Sequence, residues 1–180
     1  MAQHLKSVRA AVALNSAIFI GEAIAGLQAH SLSLLMDSVH NLSDELALAA
    51  IWLAFVLTQG VSRNLLRSAN LLNSVGLVAI SALLLWQAVE RLLHPAPVAG
   101  EIAIVAGLAA AAANWGVARL LKADAENNAA IRLAYIHNMG DAYVSLSPVV
   151  AGLLTVVSGY SFFDPLIAGG IAPVDHRVDG

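Results

Sequence analysis

The chain has 180 residues, of which 59% are hydrophobic and only 12% charged, and its mean hydropathy is +0.76. A soluble domain is roughly half apolar and about a quarter charged, so too few charges are present to cover a water-facing surface, and the same numbers exclude disorder. A net charge of −3, with nine Lys and Arg spread singly, argues against nucleic-acid binding. The absence of cysteine rules out disulfides, thiolate metal sites and cysteine nucleophiles, so any metal must be held by His, Asp or Glu.

This is the composition of an integral membrane protein, and a membrane helix needs about 20 apolar residues. Six segments read as spans, over residues 8–28, 31–57, 70–93, 98–121, 131–157 and 160–172. Gly26 to Ser33 is a short polar turn, Gln59 to Arg67 a charged loop and His94-Pro95-Ala96-Pro97 a proline stop. Lys122 to Asn128 is a charged turn, and Ser158-Gly159 a tight break. The sixth span is short, because only about 13 apolar residues precede Pro173. The fold class expected is therefore an all-α membrane protein, a six-helix transmembrane bundle over residues 1–172 followed by a short polar tail at 173–180. Lys6, Arg9, Arg63, Arg67, Arg119, Lys122, Arg132 and Arg177 fall on one side of this topology and Arg91 alone on the other, which puts both termini in the cytoplasm. The membrane expected is the bacterial inner membrane. A signal peptide at the start is disfavoured, since Glu22 interrupts the first apolar run and no small-residue cleavage site precedes the second.

Ionisable residues at bilayer depth are costly and mark functional sites by default. In the second span Asp37, His40 and Asp44 fall within about a 60° arc of the helix. In the fifth, His137 and Asp141 stack four residues apart. His40-Asn41-Leu42-Ser43-Asp44 and His137-Asn138-Met139-Gly140-Asp141 form an internal repeat, H-N-[L/M]-[S/G]-D. Random placement would give about 0.4 acids four residues after a His in this composition. A single pair would read equally well as local hydrogen bonding between buried polar groups; two, each near the middle of a span, point to a shared purpose.

Two imidazoles and two carboxylates are the number and type of ligands that tetrahedral Zn²⁺ accepts, and the two charges would neutralise the ion. A site closed by four protein ligands suits holding and releasing an ion, because catalytic zinc keeps a position open for water. Neither H-E-x-x-H nor G-x-S-x-G occurs. The reading is a transporter rather than an enzyme, with zinc or another divalent transition metal as cargo. An intramembrane metal-dependent enzyme and a small membrane scaffold are the alternatives. Glu22 and Asn15, seven residues apart on one face of the first span, line the ion path or make a polar contact between helices. Asp37 reads as the carboxylate that orients the His40 imidazole, or else as an entry-side ligand.

The stretch Ser31-Leu32-Ser33-Leu34-Leu35-Met36-Asp37-Ser38-Val39-His40-Asn41-Leu42-Ser43-Asp44 resembles the second transmembrane helix of the cation diffusion facilitators. Tyr135-Ile136-His137-Asn138-Met139-Gly140-Asp141-Ala142 resembles their fifth helix, and Phe163-Asp164-Pro165-Leu166-Ile167 the opening of their sixth. Asn15, Glu22, Asn73 and Asn114 fall where that family often carries polar residues. The resemblance extends to about Ala172 and implies a metal-ion/proton antiporter that exports divalent cations, usually as a homodimer. It places His40, Asp44, His137 and Asp141 at the family's transport site, in the pattern of its zinc branch. Three departures stand out: no C-terminal cytoplasmic domain follows, Lys122 to Asn128 holds no His, and Arg63 to Ala69 lacks the usual Gly and Glu. The tail from Pro173 does not look like the remainder of a sixth helix.

Overall fold

Large apolar side chains cover the outside of this molecule while many of its polar ones lie inside, the inverse of a soluble domain. Asn15, Glu22, Asp37, Asn41, Asn114, Asn138 and Asp164 are all buried, whereas Trp86 and Val157 are 72% and 84% exposed. The computed structural model describes the backbone of residues 2–56, 63–126 and 129–171, and the side chains of residues 9–42, 45–46, 75–76, 78–126, 129 and 131–171. The polar tail at 173–180 and part of the Gln59 to Arg67 loop lie outside the described residues.

The described residues are helical almost throughout, as α1 (Ala2–Ala29), α2 (Leu32–Val56), α3 (Arg63–Leu93), α4 (Gly100–Ala125), α5 (Ala129–Val144), α6 (Leu146–Ser158) and α7 (Phe163–Ile171). Each expected span has its helix, and the fifth is divided between α5 and α6. Among the described residues Arg9–Ala29, Gly100–Ala125 and Ile131–Ser158 are long and apolar enough to cross a membrane. The described part of α7, nine residues, rises only about 14 Å.

The break at Ser145 comes from Pro148. That residue offers no N–H to the Val144 carbonyl four positions back, and its ring crowds the same carbonyl. Ser145 N still donates to Asp141 O at 2.8 Å, so the span bends without ending. Asn114 of α4 donates from Nδ2 to Ser145 Oγ at 3.1 Å and holds the bend from the side.

Short connections follow from defined caps. His30 sits at φ 52°, and the bonds Ser31 N to Gly26 O at 3.0 Å and His30 N to Leu27 O at 3.3 Å close α1 in a Schellman motif. Two residues later α2 has begun, capped by Ser31, whose Oγ accepts from Leu34 N at 3.2 Å. The α3–α4 connection is pinned where Ala99 N donates to Ala29 O at 2.9 Å, and Arg91 donates to the carbonyl of His30.

Packing falls into two halves. Ala11 and Ile18 of α1, Ala110, Val117 and Leu121 of α4 and Ile131 of α5 form one buried cluster. Leu32 and Met36 of α2, Leu84 and Ala88 of α3 and Ala168 of α7 form the other. Small residues let backbones meet: a Cβ on Gly152 would lie 2.5 Å from Gly100 O, and one on Gly26 would lie 2.9 Å from the Leu35 side chain. The close α1–α2 and α4–α6 contacts that result hold the polar residues of α1, α2 and α5 in the interior.

Candidate metal-ion site

The polar interior is built where α1 and α2 run antiparallel. Asn41 donates from Nδ2 to Glu22 Oε2 at 2.5 Å. One and a half turns further along, Ser16 donates from Oγ to Glu45 Oε1 at 2.6 Å. Glu22 also lies beside Asp37 and within electrostatic reach of Asp141. Glu22 further lines a cavity of about 310 Å³ between α1 and α4.

Several oxygens in this region accept nothing. Glu22 Oε1, Asn41 Oδ1, Asn138 Oδ1 and both polar atoms of Asn15 are buried without a hydrogen-bond partner. Buried polar groups in folded proteins are nearly always satisfied, and oxygen acceptors left over among acids fit a site that receives a cation or ordered water. These residues fit a passing divalent ion by their chemistry, hard oxygens that can accept it.

The residues singled out in the sequence fare differently. Asn15, Glu22 and Asp37 are buried at 0%, 2% and 1% exposure and belong to the interior just described. Asp141 is half-buried and faces the same region. His40 is half-buried, and its Nε2 lies 2.9 Å from the carbonyl oxygen of Ile171 in α7. His137 is exposed on α5. Asp44 stands in α2 one turn beyond His40, and its side chain lies outside the described residues. Among the described residues no three His, Asp or Glu are grouped to hold a metal together.

Three features went unread in the sequence. Asn41 and Asn138 appeared only as members of the repeat, yet both are 1% exposed; their recurrence beside each His was the available signal. Glu45 carries no pattern of its own in the sequence, being a single acid beside Asp44. Asp164 figured only in a resemblance to a helix opening. It is fully buried and accepts hydrogen bonds from Ser31 Oγ, Leu32 N, Ser33 N and Ser33 Oγ at 2.6, 2.6, 3.3 and 2.6 Å. Its partners lie more than 130 residues away, a pairing that no local pattern encodes.

Comparison with known proteins places these features in a family. The cation efflux transmembrane domain matches residues 8–174. A protein named cadmium, cobalt and zinc/H(+)-K(+) antiporter from Bacillus velezensis is 33% identical over 155 residues, 80% of this chain and 49% of that protein. The zinc transporter ZitB of Pectobacterium atrosepticum is 29% identical over 175 residues, 91% of this chain and 54% of its own length. ZitB of Escherichia coli is 29% identical over 167 residues, 88% of this chain and 53% of its own. The chain thus spans about half the length of the curated relatives it matches. With its apolar helices, its inverted interior and a family match over nearly its whole length, this integral membrane chain belongs to the cation efflux family.

Proposed function

We propose that this chain exports a divalent cation, zinc first among them, in exchange for protons, with His40, Asp44, His137 and Asp141 as the ligands that carry the ion. The observation that carries the reading is the repeated H-N-x-x-D segment, once on α2 and once on α5, two helices that pack against one another. The buried acids and orphaned oxygens beside that contact support passage of a cation. The names of the relatives, zinc transporters and a cadmium, cobalt and zinc antiporter, support the cargo.

Proton exchange follows from the ligands. A metal is bound by neutral imidazole and ionised carboxylate, so loading releases whatever protons the empty site holds, and protons arriving from the far side discharge the ion. The same reading puts both termini in the cytoplasm of a bacterial inner membrane, supported by eight of nine Lys and Arg falling on that side. It also makes the working unit a homodimer, as the family resemblance implies.

Sealed proteoliposomes holding a zinc-sensitive dye test this directly. Zinc uptake should rise when an opposing proton gradient is imposed, and Ala at His40, Asp44, His137 or Asp141 should each abolish it in a protein that still folds. Normal transport by any two of the four variants would overturn the ligand set, and flux indifferent to the gradient would replace antiport with facilitated diffusion.

A further inference from the structure

α2 and α7 are parallel neighbours tied at two points. At their starts, the Asp164 carboxylate sits in the first turn of α7 and accepts four hydrogen bonds from Ser31, Leu32 and Ser33 at the first turn of α2. It therefore meets the positive ends of both helix dipoles, where a carboxylate is stabilised. Seven residues along α7 and eight along α2, Ile171 O and His40 Nε2 are 2.9 Å apart. Between the two ties Leu32, Met36 and Ala168 pack in a common cluster, with Val39 and Ile171 against it. The stretch from Leu32 to His40 of α2 and the described α7 are thus joined at two points across a packed seam.

The second tie fixes the ring. A backbone carbonyl only accepts, so Nε2 must carry the proton and donate to Ile171 O. In the neutral imidazole that leaves Nδ1 as the lone-pair nitrogen. A histidine that binds metal through one nitrogen while donating the other N–H to a backbone carbonyl is the usual arrangement, because the outer partner sets tautomer and orientation. From these contacts we infer that Asp164 is a positioning residue for the metal site: by clamping α7 to the start of α2 it holds Ile171 O against His40, which then meets the cation through Nδ1. The inference rests on His40 being a ligand, as proposed above, and adds which of its atoms binds and which distant residue makes that so.

Nuclear magnetic resonance on the full chain in lipid nanodiscs, with ¹⁵N-labelled histidine and ¹¹³Cd²⁺ as the probe, reads the atom itself. The His40 signals are identified by their loss in His40→Gln. In the native protein ¹¹³Cd should couple to His40 Nδ1 while the Nε2–H signal persists. Coupling to Nε2 would overturn this inference and leave the ligand assignment intact. Coupling to neither nitrogen would remove His40 from the ligand set, and the inference with it. Asp164→Ala should scramble the His40 tautomer signals and weaken Cd²⁺ binding tenfold to a hundredfold, the range seen when an outer partner is lost. Ser33→Ala, which deletes one hydroxyl donor and keeps the Ser31 cap, should fold normally and give a smaller change in the same direction. Native tautomer and affinity in both variants would show that Asp164 has no hand in placing the ring.

Discussion

Asn41 and Asn138 hold the same position in the two H-N-x-x-D segments, and both are sealed at 1% exposure while the histidines beside them are half-buried and exposed. On a helix the neighbouring residue is turned by 100°, so burying the Asn turns the His toward the edge of the interior. Each amide uses its Nδ2 within the protein, Asn41 on Glu22 and Asn138 on the Ala134 carbonyl at 2.9 Å. Each leaves its Oδ1 unmatched. Among the described residues, the most deeply placed element common to the two segments is therefore an amide oxygen without a hydrogen-bond partner.

The Asn41–Glu22 bond is the first point to test. Asn41→Ala leaves a buried carboxyl without its donor, which should cost about 1–3 kcal/mol. Glu22→Ala in the same background should recover part of that loss. A double-mutant cycle by chemical unfolding in detergent should return a coupling of about 0.5–3 kcal/mol. A coupling near zero would mean that the bond contributes nothing to holding α1 on α2.

Ion choice should follow the His40 position. Asp there exchanges an imidazole for a hard carboxylate, and oxygen ligands suit Mn²⁺ while imidazole suits Zn²⁺. Competition uptake by His40→Asp should shift preference from zinc toward manganese or iron. Unchanged selectivity would argue that His40 does not touch the ion.

The pH dependence has a definite sign. Protons compete with metal for imidazole and carboxylate alike, so metal affinity is lost as pH falls. Calorimetric Zn²⁺ affinity should drop as the solution is acidified, and proton release on binding should appear as a dependence of the heat on buffer ionisation. An affinity indifferent to pH would exclude proton-linked binding at this site.

Gly152 should tolerate nothing larger. A Cβ there would meet Gly100 O at 2.5 Å and Ile104 Cγ1 at 2.9 Å, and backbone cannot step aside as a flexible side chain can. Gly152→Ala should destabilise the protein by about 1–3 kcal/mol, the usual cost of overpacking. Gly100→Ala, which meets Gly152 O at 2.7 Å from the other side, should cost a similar amount. The pair should be less than additive, because the first change has already moved the helices apart.

The sequence by itself determined the class of molecule and most of the limits of its helical segments. Those are local properties: a run of apolar residues about 20 long, the Gly26 to Ser33 turn, the proline stop after His94 and the break at Gly159 each act on the few residues around them. Pro148 was legible in the same way, and the bend at Ser145 could have been read from it. The repeated His and Asp marked two helices, α2 and α5, that the structure packs together, and helical periodicity put Asp37 and His40 on one stripe. Tertiary structure alone decided which side chain meets which across the bundle. Asp164 reaches Ser31 over 133 positions of chain, and His40 reaches the Ile171 carbonyl over 131. Backbone carbonyls carry no sequence signature, and a buried carboxylate finds its donors only once packing has brought two helix ends within 3 Å of it.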